Sequence, residues 1–372
     1  MGEIKSVLFF YGFDAIIKSK HDQKENMVTY KKAGVNDQKA NEFVSIIRQQ
    51  IKNTHFYKKF SVDVGFFGAF VPLQKLRKKS YIVASCDGVG TKILIAKALE
   101  KYDTIGIDLV AMNCNDVAVC GAKPLFFLDY LAVGKLNLER ERKLVEGIIK
   151  GCEIAGCPLV GGETAQMPDV YREDDFDLAG FCAGIVEKDN ILGPSKIRKD
   201  DVIIGIASNG LHSNGFSLVR KTLLSGRGVK RILSSYHVSL GRSLGEELLR
   251  PTYIYSPVVS KLAEKKLIHA AAHITGGGIP GNLGRVLPEN MDAEIYLNSW
   301  QVPVIFEMIQ KCGNIETKEM FNVFNMGLGM MLVVSEKNVE IVKTIVQKEG
   351  FRPFLVGALK NGKGRVLLKK SN

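Results

Sequence analysis

Six residues, Asp87-Gly88-Val89-Gly90-Thr91-Lys92, follow directly on the β-forming stretch 81–86 and lead into a segment of helical character over 91–100. A strand that turns on glycines straight into a helix is a unit of α/β architecture. It also makes a place for an anion, because the first N–H groups of a helix lack partners and the helix dipole is positive there. Gly88 and Gly90 let the backbone come close to a phosphate, and Lys92 adds a mobile positive charge. Asp87 suits the magnesium that accompanies a nucleotide, which takes one or two carboxylates together with phosphate oxygens. The run is not a Walker A loop, which needs G-x-x-x-x-G-K-[ST], and the second half of a dinucleotide fingerprint is missing. An ordinary turn capped by Asp87 explains the same residues and stays open as the alternative.

Strand and helix signals continue to alternate. Ala40, Phe43, Val44, Ile47 and Ile51 recur at helical spacing over 36–51, and a glycine-punctuated apolar segment covers 63–70. Helices are predicted over 106–120 and 138–155, with strands over 125–133 and 178–186. A polar, proline-containing stretch at 189–201 breaks the pattern, after which a strand at 202–207 begins a new series. That series adds helices near 215–224 and 254–265, and strands at 270–274, 293–297, 330–334 and 354–356. The class is α/β (α+β) in two domains, which suits 372 residues because single cores stop growing at roughly 250 to 300. The expected division is an extension over 1–26, an N-terminal domain over 27–193 and a C-terminal one over 194–372.

The net charge of +12 raises nucleic acid as a partner, but its distribution argues against one. Residues 1–80 hold 15 Lys or Arg against 7 Asp or Glu, which is most of the excess. The densest cluster, Lys75, Arg77, Lys78 and Lys79, has no interleaved aromatics and reads as a solvated turn. Seven cysteines with no C-x-x-C pair read as buried reduced thiols of a cytoplasmic protein. No run approaches the roughly 18 apolar residues of a membrane span, and the start carries no convincing signal peptide.

Other chemistry-bearing residues cluster around the same turn. Asp108 and Asp116 lie eight apart on one predicted helix, on one face, with Asn115 beside the second. That helix is otherwise apolar, so two acids need partners: a metal or nucleotide, or lysines in salt bridges. A further glycine turn, Gly161-Gly162-Glu163-Thr164, carries another carboxylate. In the second half, the polar loop Ser208 to Gly215 holds His212, able to exchange a proton near neutral pH or to be a plain surface histidine. Thr275-Gly276-Gly277-Gly278 sits between strand and helix and suits a phosphate held by backbone amides.

With these motifs in place, the sequence closely resembles the phosphoribosylformylglycinamidine cyclo-ligase (aminoimidazole ribonucleotide synthetase) family over nearly all of 27–369. The likeness rests on DGVGTK at 87–92, GIDLVAM at 106–112, Asn115-Asp116, GAKPLFFLDY at 121–130 and LVGGETA at 159–165. It continues in LHSNGFSLVRK at 211–221, HITGGG at 273–278 and Phe324-Asn325 with Gly327 and Gly329. The resemblance implies a PurM-like fold, a homodimer whose N-terminal sheets pair into a shared barrel, a C-terminal mixed sheet flanked by helices, and a cleft site near the dimer interface. It implies ATP and Mg2+ as cofactors, with K+ a further candidate, and neither nucleic acid nor membrane as partner. The implied substrate is formylglycinamidine ribonucleotide, whose formyl oxygen ATP activates as a phosphate ester before the amidine nitrogen closes the imidazole ring.

Carried over residue by residue, the resemblance implies nucleotide contacts at Asp87, Gly88, Gly90, Thr91, Lys92, Asp108, Asn115 and Glu163, with metal at Asp87 and Asp116. Substrate contacts fall to His212, Ser213, Asn214, Gly276, Gly277 and Gly278, and catalytic roles to Lys92, Asp116 and His212. Three departures stand out. Residues 1–26 have no counterpart and Met27 lies where members begin, Gln166 stands where Glu is common, and Gly65-Phe66-Phe67-Gly68 replaces a richer glycine run. Within the wider superfamily the rival readings are selenophosphate synthetase, for which no cysteine precedes Cys86, and thiamine monophosphate kinase. From another class, a basic nucleic-acid-binding protein would use the N-terminal lysines and ignore the acids.

Overall fold

The structure, a computed structural model, describes residues 79–226 and 228–370, and the backbone of 69–73. The helix read over 36–51, the extension and the glycine-punctuated segment up to Gly68 lie outside the described residues. Residues 69–187 form the first sheet with its helices. Strands β1 (Ala69–Leu73) and β2 (Ser80–Gly88) precede α1 (Ile93–Leu99) and α2 (Ile105–Val119). Then come β3 (Lys123–Val133), α3 (Leu138–Ala155), β4 (Leu159–Gln166) and β5 (Phe176–Glu187). The order across the sheet is β1-β2-β5-β3-β4, antiparallel except for β3 with β4, which α3 connects.

Local chemistry sets the ends of α3. Asn137 accepts hydrogen bonds from the N–H groups of Glu139 and Arg140, and Gly156 closes the helix in the left-handed conformation. Its buried positions Leu144, Ile148, Cys152 and Ala155 recur every three or four residues and form one face. By contrast, fourteen of the fifteen residues of α2 are buried, Asp116 being the exception. The sheet lies on one side of α2, α3 on another, and the second half of the chain on a third.

The crossing of α2 with α3 is closer than side chains permit. A Cβ on Gly106 would lie 2.2 Å from Ile148 N and 2.3 Å from Leu144 O. Glycine at 106 therefore sets the distance between the two helices, and through it the position of the α2 face that carries Asp108, Asn115 and Asp116.

Past the turns Lys188–Asn190 and Pro194–Lys196, the chain builds a second sheet. Its elements are β6 (Asp201–Ala207), α4 (Phe216–Leu223), α5 (Val229–Ser234), the ribbon strands β7 (Tyr236–His237) and β8 (Arg242–Ser243), and α6 (Leu244–Leu248). Next come α7 (Ser256–Glu264), β9 (Ala270–His273), α8 (Gly278–Gly284), β10 (Met291–Tyr296), α9 (Val304–Gly313) and α10 (Thr317–Val323). The chain ends with β11 (Leu328–Ser335), α11 (Val339–Lys348), β12 (Pro353–Asn361) and β13 (Val366–Lys369). The six strands are ordered β13-β10-β12-β6-β11-β9, and α7 packs on α2.

The mixed α/β class is as the sequence indicates, with one local correction. Gly161-Gly162-Glu163-Thr164 is not a turn; it lies inside β4, paired with Leu128 to Leu131 of β3. Two adjacent glycines read as a turn, yet Gly162 is required for another reason: a Cβ there would lie 2.1 Å from Asp129 Oδ1. Gly106→Ala is expected to destabilise the protein by about 1–3 kcal/mol through forced separation of α2 and α3. An unchanged urea midpoint would show that the crossing relaxes freely.

Candidate active site

The turn after β2 is held from the side by Asn113. Its Oδ1 accepts the Asp87 N–H at 2.9 Å, and its Nδ2 donates to Asp87 O at 3.2 Å and Leu109 O at 2.9 Å. A Cβ on Gly88 would lie 2.9 Å from Leu178 O, and Gly90 has φ +68°. Asp87 Oδ1 accepts the Gly88 N–H at 2.8 Å, so the aspartate does cap its own turn. That carboxylate opens on solvent and makes no ion pair with a described residue. Thr91 Oγ1 lies 3.1 Å from Ser217 Oγ of α4, joining the turn to the second half of the chain.

Lys92 is not the mobile cation its position in the sequence suggests. Its side chain is 0% exposed, and Nζ lies 2.8 Å from Asp108 Oδ2 and donates to Arg250 O at 2.7 Å. The other Asp108 oxygen accepts from the Thr252 N–H at 2.7 Å and from Thr252 Oγ1 at 2.6 Å. Burial lowers the Lys92 pKa while Asp108 works against that fall. Asn115 is used in the same way: Oδ1 accepts from the N–H groups of Tyr255 at 2.7 Å and Ser256 at 3.1 Å, and Nδ2 donates to Tyr253 O at 2.9 Å. The acids of α2 do find partners, and for Asp108 the partner is a lysine.

Asp116 is different. Its side chain is 15% exposed while the other residues of the helix are buried, and its Oδ1 meets His273 Nδ1 at 2.8 Å. Burial raises its pKa, with the hydrogen bond to His273 opposing. Asp87 is exposed at the surface, yet the protein packed around the base of its turn, first, and the Asp116 charge, second, push its pKa up to about 6. A carboxylate whose protonation is favoured by a second carboxylate beside it is one that a cation would stabilise in its charged form.

In the second half of the chain, the loop after β6 places His212 in the left-handed conformation, φ +62°, with the residue 1% exposed. Nε2 accepts the Asn209 N–H at 2.9 Å, which puts the ring proton on Nδ1, where it has no partner among the described residues. Burial, then the positive charges of His273, Lys92 and Arg250, hold the pKa well below the usual histidine range. His212 is therefore a neutral hydrogen-bond donor in the free protein, not a residue that exchanges its proton near neutral pH.

The neighbouring side chains divide between structure and site. Ser213 Oγ is taken up by Thr252 Oγ1 at 2.9 Å. Asn214 Nδ2 is buried and unpartnered, and its Oδ1 lies 3.5 Å from the position a Cβ of Gly276 would take. Gly277 and Gly278 have φ +90° and +58°. Asn282 pins the loop by donating to Thr275 O, Gly276 O and Gly278 O.

Glu163 stands apart. In register, Asp87 faces Gly180, then Asp129, then Gly162, while Glu163 shares the next row with Tyr130, Ala179 and Gly88. Side chains of successive rows point to opposite faces, so Glu163 points away from α2. Three strand spacings, about 14 Å, separate the two edges of the row.

Comparison with known proteins names this arrangement. The AIR synthase related protein N-terminal domain matches residues 68–186, and the AIR synthase related protein C-terminal domain matches residues 198–369. The phosphoribosylformylglycinamidine cyclo-ligase of Pseudothermotoga lettingae is 48% identical over 340 residues, which cover 91% of this chain and 99% of that protein. This chain belongs to the phosphoribosylformylglycinamidine cyclo-ligase family. A second cyclo-ligase, from Thermodesulfovibrio yellowstonii, is 47% identical over 344 residues, 92% of this chain and 99% of that one. Solved structures share the fold at low identity. Thiamine-monophosphate kinase from Stenotrophomonas maltophilia K279a has a TM-score of 0.59 at 16% identity, covering 83% of this chain and 90% of its own. AaThiL complexed with AMPPCP and TMP has a TM-score of 0.57 at 16% identity, covering 89% and 94%.

In this cyclo-ligase family member, residue-by-residue reading of the sequence passed over Asn113, Thr252, His273 and Asn282, each of which fixes a site residue. His273 was legible as part of HITGGG, whereas Thr252 carries no signal because its partner lies 144 positions away. Replacing Asp108 by Ala leaves Lys92 buried and unpaired, and is expected to destabilise the protein by about 3–5 kcal/mol. Pairing it with Lys92→Met should restore most of the loss. Chemical denaturation checks both, and a neutral Asp108→Ala would show that the bonds of this pair to Arg250 and Thr252 do not tie the two halves together.

Proposed function

We propose that this chain closes formylglycinamidine ribonucleotide to 5-aminoimidazole ribonucleotide with ATP in purine biosynthesis, as a cytoplasmic homodimer using Mg2+. Likeness to cyclo-ligases over at least 90% of both chains supports the reaction. One observation carries the site: the carboxylates Asp87 and Asp116, the second of which raises the pKa of the first, lie near His273, whose charge also reaches His212, and His212 Nδ1–H and Asn214 Nδ2 have no partner among the described residues. A solved neighbour of the same fold holds the ATP analogue AMPPCP, which supports ATP as the nucleotide. All seven cysteines are free, and no helix of the described residues is long and apolar enough to cross a membrane.

Asp87 and Asp116 fit Mg2+, being hard oxygen donors of which one opens on solvent. These two carboxylates would hold the ion, which would supply neutralising charge to the phosphates. The substrate's formyl oxygen takes the γ-phosphoryl group and ADP leaves. The amidine nitrogen then attacks the formyl carbon, the C–N bond forms, the C–O bond breaks with departure of phosphate, and the nitrogen loses its proton. His212 acts in this reading as a fixed donor to an acceptor oxygen of the substrate, and Asn214 with Gly276 to Gly278 as the substrate-phosphate contacts. Thr91, Gly88 and Gly90 line the nucleotide turn, while Lys92, Asp108 and Asn115 hold the two halves in place around it. K+ has no carrying observation.

The face of the first sheet turned away from α2 presents Phe126, Leu128 and Tyr130 of β3 with Phe181 and Ile185 of β5. Tyr130 is 40% exposed. This face supports a second copy as the occupant, with sheets paired into a barrel. Glu163 lies on it, and reaches a nucleotide only through that partner.

Incubation with formylglycinamidine ribonucleotide, ATP and Mg2+ should yield the aminoimidazole product together with ADP. ADP without product would instead favour another phosphoryl transfer on this fold. Asp116→Asn is expected to lower turnover by about 100-fold or more with folding retained, on the scale seen for loss of one electrostatic contact to the reacting groups. Mg2+-dependent nucleotide binding should weaken as pH falls through about 6, because Asp87 gains its proton there and loses its negative charge. That acid limb should vanish in Asp87→Asn, and its survival would remove Asp87 from the metal site. For the dimer, Phe181→Glu should sediment as a monomer; a monomeric parent chain would refute the pairing.

A further inference from the structure

Three cysteines that are far apart in sequence meet in the core. Cys114 comes from the middle of α2, Cys182 from the middle of β5 and Cys157 from the turn that follows α3, and their sulfur atoms lie within 4.8 Å of one another. Cys114 Sγ approaches Cys182 Sγ at 3.6 Å. None of the three is more than 1% exposed. A fourth cysteine, Cys152 in the last turn of α3, is joined to the group through the backbone. The Cys157 N–H bonds to its carbonyl at 3.0 Å.

A buried cysteine normally serves as a small apolar filler and has no need of sulfur neighbours. Thiol-to-thiol contacts are weak hydrogen bonds, so packing alone does not call for three thiols from three different elements at one point. The spacing is that of a metal-thiolate centre. With metal–sulfur bonds of about 2.3 Å, tetrahedral or trigonal ligands lie roughly 3.8–4.0 Å apart, within reach of the arrangement seen here by small side-chain movements. Metal binding requires the thiols to deprotonate, and their protons leave to solvent.

We infer that Cys114, Cys157 and Cys182 form a binding site for a thiophilic cation of the zinc class, separate from the oxygen donors Asp87 and Asp116. An all-sulfur donor set selects Zn2+, Cd2+ or Cu+ over Mg2+. The site lies on the sheet-facing side of α2, one residue from Asn115 on the helix. A bound ion there clamps α2 to β5 and to the end of α3, and so fixes the helix that carries the polar face of the cleft.

The test is titration of the reduced, full-length chain with Cd2+ under anaerobic conditions, followed by removal of loose metal on a desalting column. One Cd2+ should remain per chain with sulfur-to-cadmium charge-transfer absorption, and the melting temperature should rise. Cys182→Ser and Cys157→Ser should weaken binding by more than the roughly ten-fold that loss of an outer-shell partner produces, while Cys86→Ser and Cys312→Ser should bind as the parent does. Cadmium NMR of the unsubstituted chain, which needs no variant to fold, should report all-sulfur ligation. Absence of retained Cd2+, ligation by oxygen and nitrogen, or loss of binding with the Cys86 or Cys312 variant would each overturn the site. Ring-closing activity is not the readout, so the result is independent of the proposed reaction.

Discussion

The buried polar face of α2 is the constraint on which the rest depends. Asp108, Asn115 and Asp116 emerge from a helix that is otherwise apolar and sealed on its other sides by sheet and helix. Charges and amides placed there are stable only when every donor and acceptor finds a partner. Those partners are supplied from far along the chain: Lys92 from the nucleotide turn, Thr252 to Ser256 from the segment before α7, and His273 at the end of β9. A set of directional bonds of 2.6–3.1 Å fixes orientation in a way that apolar contact does not. The two sheets are therefore held in one relation, and the glycine loops of both halves meet around the same helix.

This division of labour explains which acid is left for chemistry. Asp108 has both oxygens committed, one to a buried lysine and one to a threonine, and its interactions are those of a strut. Asp116, two turns along, has one oxygen bonded to His273 and lies near enough to Asp87 for its charge to act on it, and Asp87 makes no ion pair among the described residues. The distinction follows from position on the helix: the first lies deep beneath α4 and the Arg250–Thr252 segment, while the second lies where the helix emerges at the cleft. His212 obeys the same rule in reverse. Buried among Tyr253 and Tyr255, it loses its charge and keeps a single oriented N–H.

Much of the fold was legible because period and punctuation are local. The helix at α3 was read to its ends, since its cap, its apolar spacing and its closing glycine all lie within the segment. The helices at α5, α6, α9, α10 and α11 were not read from the sequence, although α9 and α11, at ten residues each, are longer than α4 and α7, which were. The glycine pair before Glu163 misled because Gly162 makes room for Asp129 on the neighbouring strand, and nothing local distinguishes that need from a turn.

From the sequence alone came the α/β class, the glycine turn at Asp87 to Lys92, the acid spacing on α2 and the resemblance to a ring-closing ligase family, all carried by contiguous residues. Only the tertiary structure decided that Lys92 is buried rather than mobile, that Asp108 is a strut and Asp116 the open carboxylate, that His212 is neutral, and that Cys114, Cys157 and Cys182 converge. Each of these depends on dielectric surroundings and on partners between 16 and 158 positions distant, and neither burial nor such pairing can be read from neighbours along the chain.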